Sequence, residues 1–217
     1  MKPILFNTSM VQAILDGRKT VTRRIIKNIP EGTHRIERDH EKWIACFGAC
    51  DAGIFYDYEK PIRPQPYEIG DILYVRETWH KYSKRVGKGE ACRLETFYGY
   101  KASVQNSEDA AEKWKPSIHM PKEAARIFLR VVSVNAERLQ DMPHDGAERE
   151  GIYYCENCGF TWERSPQIFL KTPMSSMKFL WDLTYKKRNY AWMWEANPWV
   201  WVIEFERCEK PIEYTPW

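Results

Sequence analysis

The sequence predicts an α+β fold in which strands outnumber helices. Three observations carry that expectation. Residues 199–205 (Trp-Val-Trp-Val-Ile-Glu-Phe) are β-branched and aromatic and read as a strand, as do 72–79 and 127–135. Met10, Val11, Ile14 and Leu15 recur at helical spacing, and Met177, Leu180, Trp181 and Thr184 do so again later in the chain. There is neither a repeat of fixed period nor an apolar run of about 18 residues, which argues against a solenoid and against a membrane helix.

In order, Pro3 to Phe6 reads as a first strand. A helix follows, with Thr8 or Ser9 placed to cap it and Gly17 at its C-terminal end. Residues 20–26 favour a second strand. Residues 27–69, with three glycines and four prolines, read as loops with one hairpin around Lys42 to Cys46. Gly70-Asp71 is a turn into the strand at 72–79. Residues 80–93, with Lys81, Lys84, Arg85, Lys88 and Arg93, read as a basic loop, and Leu94 to Tyr100 as another strand. Asn106 to Lys113 is helix-friendly, and Pro116 and Pro121 stiffen the segment between them. Asp141 to Glu150 reads as an acidic helix stopped by Gly151, and Ser175 to Tyr185 as an amphipathic one.

Composition narrows the function. The 217 residues fit one large domain, and 33 basic against 30 acidic side chains leave a net charge of +3. That balance does not suit a protein that coats nucleic acid, so any such surface is a local patch. Ten Trp, twelve Tyr and nine Phe are enough to fill a core and also to stack on bases. Six cysteines without a secretion signal point to thiols or metal ligands in a reducing cytoplasm. Cys155 and Cys158, followed by Gly159, have the spacing of a zinc knuckle, and Cys46 with Cys50 is the other closely spaced pair. Together they would supply four ligands to a structural zinc. The alternative is that they are free thiols.

The densest chemistry lies at Asp16-Gly17-Arg18-Lys19-Thr20-Val21-Thr22-Arg23-Arg24, where four cations and two hydroxyls fall within nine residues. Arg18 and Lys19 near a helix C-terminus could serve only to complement its dipole, worth about 0.3–1 kcal/mol. Arg23, Arg24 and the two threonines exceed what a helix end requires. Glu77 beside Trp79 suits recognition of the donor edge of a base, or is a surface glutamate paired with Arg76 or a lysine. His119, between the two prolines, is a ligand contact or a packed structural histidine. Glu148 and Glu150 sit where a helix dipole disfavours carboxylates.

Three stretches together resemble the ASCH family of the PUA-like superfamily: Ala13 to Arg24, Gly70 to Trp79, and Pro198 to Phe205. Pro-Ser-Ile-His-Met-Pro at 116–121 brings the likeness closest to the longer phage- and prophage-associated members. The resemblance implies one domain over 1–217, with insertions near 27–69 and 153–172. It implies a small, partly open β-barrel of mixed, mostly antiparallel strands, with helices covering its openings. Small bacterial members hydrolyse N4-acetylcytidine and related acylated cytosines. Their lysine and threonine fall on Lys19 and Thr22, and the glutamate of their Ala-Glu-x-Glu segment falls on Glu150. Arg18, Thr20, Arg23, Glu77, Trp79 and His119 would then contact the substrate. A desolvated lysine can activate a threonine hydroxyl, and neighbouring arginines lower its proton affinity. Such hydrolysis requires no cofactor. Lys19 and Thr22 are three apart and face opposite sides of a regular strand, so they converge only if the junction bends. The chain is also about twice as long as those enzymes. PUA-like domains generally read RNA, which implies the alternatives: a non-catalytic module binding single-stranded RNA, or a ribonuclease using the same cleft. The expected partner is a nucleoside or single-stranded RNA, and no membrane.

Overall fold

The strand Trp199–Cys208 (β12) organises the sheet. In the computed structural model it pairs antiparallel with β9 (Phe128–Arg138) on one side and with β2 (Val21–Ile25) on the other. β6 (Ile72–Arg76) adds antiparallel to β9, and β1 (Lys2–Leu5) adds parallel to β6. The five strands run in the order β1-β6-β9-β12-β2. The structure describes all residues except 41, 52–53, 65–66, 89–91, 104–112, 158, 164–169, 186–188 and 212–217, and describes only the backbone at 49–51 and 54–55. Most of the helix-friendly stretch 106–113 therefore lies outside the described residues.

The pleat of β12 divides the interior. Trp201, Ile203 and Phe205 face a core containing Phe6, Val11, Ile14, Leu73 and Leu129. Val200 and Val202 face a second cluster, closed by Met177 and Trp181 of the helix α3 (Pro173–Tyr185) and Ala147 of the short helix α2 (Gly146–Arg149). A third cluster gathers Trp79, Met120, Ala124, Ala125 and Phe128. The first helix, α1 (Thr8–Leu15), is capped by Asn7, whose side chain accepts the Met10 N–H at 2.8 Å, and not by Thr8 or Ser9. Gly17 follows it at φ 75°, the left-handed conformation glycine adopts without strain.

Four expectations need correction. The sheet is mixed and β-rich, but it does not close into a barrel: β1 and β2 are its two edges and do not pair. Arg24 Nη2 instead donates across the gap to the Leu5 carbonyl at 2.9 Å. Residues 33–62 are not loops. They form an antiparallel meander of β3 (Thr33–Asp39), β4 (Lys42–Asp51) and β5 (Ile54–Ile62). Pro61 is tolerated because β5 is an edge strand and needs no outward N–H. Trp43 of β4 meets Trp201 edge-on at 4.8 Å, so the meander joins the main core. The basic stretch 80–93 is not all loop: its first half belongs to β7 (Trp79–Val86), which pairs with β8 (Arg93–Tyr100), the strand expected at 94–100. Its outer residues are solvated on both faces, which removes the apolar alternation that marks a half-buried strand. The acidic helix at 141–150 shrinks to the single turn of α2. A further hairpin joins β10 (Tyr153–Cys155) to β11 (Gly159–Thr161). Among the described residues no helix is long and apolar enough to cross a membrane.

Candidate functional site

The junction between α1 and β2 bends sharply. The amides of both Arg18 and Lys19 donate to the Ala13 carbonyl, at 2.9 and 3.0 Å. The Thr20 amide then donates to the Arg149 carbonyl at 2.9 Å, tying the junction to the end of α2. Gly151, just beyond α2, has φ 105°, and a Cβ there would lie 2.8 Å from Ala13 Cβ and 3.4 Å from Lys19 Cβ. Glycine thus permits the close approach that turns Lys19 inward.

Lys19 is buried, and each of its three ammonium protons has an acceptor. Nζ donates to the Val21 carbonyl at 2.8 Å, the Glu150 carbonyl at 3.0 Å and Glu150 Oε2 at 2.5 Å. Arg23 Nη1 lies 3.4 Å from Glu150 Oε1, and its Nε donates to Glu137 Oε1 at 2.8 Å. Two cations therefore face two carboxylates, with Lys19, Arg23 and Glu150 buried and Glu137 partly exposed. Burial lowers the Lys19 pKa below its ordinary 10.5; the Glu150 carboxylate opposes that shift, and Arg24 and Arg23 reinforce it.

Thr22 lies beside this pair. With Glu150, Arg23 and Arg24 it lines a hollow walled by Met10 of α1 and by Trp181, Thr184 and Tyr185 of α3. The hollow measures about 40 Å³, room for a water or two and far below the ~300 Å³ at which ligand pockets begin. No hydrogen bond joins Lys19 to Thr22 among the described residues.

The other sequence-selected residues are dispersed. Arg18 and Thr20 line a separate cavity of about 540 Å³ whose wall is of mixed charge, with Asp145, Glu148 and Arg149. Arg18 is already engaged by the Gly151 carbonyl at 2.5 Å, by Asp16 at 2.9 Å and by the Tyr153 ring at 4.4 Å. Glu77 is 1% exposed and held by a two-pronged contact from Arg126, at 2.9 and 3.0 Å. It is neither at a substrate cleft nor paired with Arg76, which donates to the carbonyls of Met120 and Ile118. Trp79 is packed inside the third cluster, so it offers no open face for stacking, and its buried indole N–H has no partner among the described residues. His119 is exposed on a single turn at Ser117–His119. None of Glu77, Trp79 and His119 lines any of the cavities described here.

The cysteine tetrad is not assembled among the described residues. Cys46 is buried in the meander and Cys155 lies in the β10–β11 hairpin; the Cys50 side chain and Cys158 fall outside the described residues. Donor atoms of Glu37, Cys46 and Glu59 do lie within 4.8 Å of one another. Arg35 already supplies a cation there, 3.5 Å from Cys46 Sγ and 3.2 Å from Glu37 Oε2.

Sequence reading missed two features. Glu137 neutralises Arg23 from a strand more than a hundred residues away. A groove of about 650 Å³ opens in the gap between β1 and β2, where Arg24 meets Lys27, Arg63 and Tyr67. The signal available was Arg24 itself, whose neighbour Arg23 must point the other way on a strand. No family model matches the chain, and neither a curated protein nor a solved structure matches it.

Proposed function

We propose that the chain is an ASCH-like protein of PUA-like ancestry that hydrolyses the amide of an acylated cytosine such as N4-acetylcytidine. One observation carries this reading: Lys19 and Glu150, 131 positions apart, meet at 2.5 Å beside a hollow that Thr22 lines. An amine whose proton affinity burial lowers, a carboxylate and a hydroxyl are what amide hydrolysis by a covalent route uses.

The steps balance as follows. Lys19 Nζ passes a proton to Glu150 Oε2 along their contact. The neutral amine accepts the Thr22 hydroxyl proton as Oγ1 bonds to the acyl carbon. The C–N bond then breaks, and the Glu150 acid gives its proton to the departing N4. Water attacks the Thr22 ester, releasing the carboxylic acid and restoring the hydroxyl. Arg23, close to Oε1, holds the carboxylate in place. Substrate entry requires the α3 wall to withdraw, and Lys19 must turn from its carbonyl acceptors toward Thr22.

A second reading, a non-catalytic RNA-binding module, is favoured by the engagement of all three Lys19 protons, which is how a purely structural lysine is held. The test incubates wild type, Thr22→Val and Thr22→Ser with N4-acetylcytidine and with a short single-stranded RNA. Hydrolysis is expected in wild type, lost at least ~100-fold in Thr22→Val and retained in part in Thr22→Ser. Undiminished hydrolysis in Thr22→Val overturns the mechanism. RNA binding that falls steeply with salt, with no hydrolysis by wild type, supports the second reading.

A further inference from the structure

We propose that the groove between the two sheet edges, β1 and β2, binds a nucleotide: an aromatic base carrying phosphate. The groove exists because the sheet does not close. Ile4 and Leu5 form one bank, Arg24 and Ile25 the other, and Trp201 and Ile203 the floor. Its volume of about 650 Å³ falls within the ~300–1,000 Å³ of small-molecule sites. Asn28, at φ 59°, turns the chain after β2 and places Lys27 at the rim. Tyr67, whose hydroxyl donates to the Pro3 carbonyl at 2.8 Å, stands over the β1 side.

The charge pattern sets this groove apart. Arg24, Lys27 and Arg63 line it, and among the described residues no carboxylate does. Several arginines elsewhere are neutralised: Arg23 by Glu137 and Glu150, Arg149 by Glu204, Arg126 by Glu77. Among the described residues Lys27 and Arg63 form no ion pair; Lys27 Nζ lies 5.5 Å from the Trp192 ring, and the contacts of Arg24 are the Leu5 carbonyl and the Phe6 ring at 5.5 Å. Three like charges around one concavity repel one another until an anion enters. Guanidinium groups match phosphate oxygens in pairs. The apolar floor and Tyr67 suit a flat ring, which stacks without regard to sequence. A bare anion would leave that wall unused, and an uncharged ring would leave the cations unrelieved.

Among the described residues the groove shares Arg24 alone with the hollow beside Thr22. Neither Lys27 nor Arg63 touches Lys19, Thr22 or Glu150, so loss of binding in their variants and loss of hydrolysis in Thr22→Val are separate outcomes. The experiment titrates the full chain calorimetrically with the four nucleoside 5′-monophosphates, the matching nucleosides, inorganic phosphate and a short single-stranded RNA. At least one monophosphate is expected to bind on the order of tenfold tighter than both its nucleoside and inorganic phosphate. Lys27→Glu and Arg63→Glu should each weaken it on the order of tenfold with unchanged circular dichroism, and Arg63→Lys should keep only part of it, because an ammonium cannot present the paired donors of a guanidinium. RNA binding tighter than any monophosphate, with a steeper salt dependence, identifies an RNA chain as the source of the nucleotide; equal affinity identifies free nucleotide. The proposal is overturned if no monophosphate binds, if nucleoside and monophosphate bind equally, or if both charge reversals leave binding intact.

Discussion

Lys19 Nζ approaches Glu150 Oε2 to 2.5 Å with side-chain exposures of 0% and 5%, which makes the two residues one buried ionic unit. Breaking such a unit from one side strands a charge, whereas removing both members does not. Lys19→Met and Glu150→Gln should each cost about 3–5 kcal/mol in urea unfolding. The Lys19→Met, Glu150→Leu double variant should cost clearly less than the sum of the singles. Additive losses would show that the two side chains act independently.

The lowered Lys19 pKa fixes a pH dependence. Between its folded value and 10.5 the folded chain binds fewer protons at this site than the unfolded chain does. Stability from Lys19 therefore rises with pH across that window and is lost as pH falls through the folded value. Hydrolysis should fall as pH rises through the same lowered value, because the Lys19–Glu150 pair then loses the shared proton that Glu150 must deliver to the departing N4. Wild type and Lys19→Met, unfolded across an alkaline pH series, should diverge in this direction. Parallel curves would exclude a shifted lysine.

Arg126 and Glu77 form a second buried unit that belongs to no cavity described here. Arg126→Ala should destabilise the fold by about 2–4 kcal/mol, toward the low end because the guanidinium keeps some solvent contact. Hydrolysis and nucleotide affinity per folded molecule should remain at wild-type levels. A specific loss of either would return Glu77 to the functional set.

Gly151 combines a positive φ with the close approach to Ala13 and Lys19. Gly151→Ala should cost about 1–3 kcal/mol by denaturant unfolding, from backbone strain together with crowding. A neutral result would mean that the Lys19 junction can shift to admit a methyl group.

How much of this was legible follows from where each signal resides. The strand at 199–205 and the helix at 175–185 were readable because burial imposes a period on each. The meander was not: Trp43 and Ile62 enter the core, but Gly48 inside β4 and Pro61 inside β5 interrupt the alternation of their strands. Of the β7–β8 ribbon only β8 was readable, because Lys81 to Val86 of β7 are exposed on both faces. For the site, Lys19, Thr22 and Glu150 were selectable by the motifs they sit in, and the structure brings Lys19 and Glu150 into contact. Glu77 and Trp79 were selected by residue type, which cannot distinguish a buried ion pair or a packed indole from a surface that meets ligand. Lys27, Arg63 and Tyr67 were invisible because they converge only where two sheet edges fail to meet.

The edge-on contact of Trp43 with Trp201 has a consequence for any attempt to shorten the chain by removing residues 33–62. Excising the meander would strip the cover from an indole in the middle of the central sheet. The meander is thus woven into the folding unit, and a shortened chain would need a redesigned surface at Trp201 before it could stand alone.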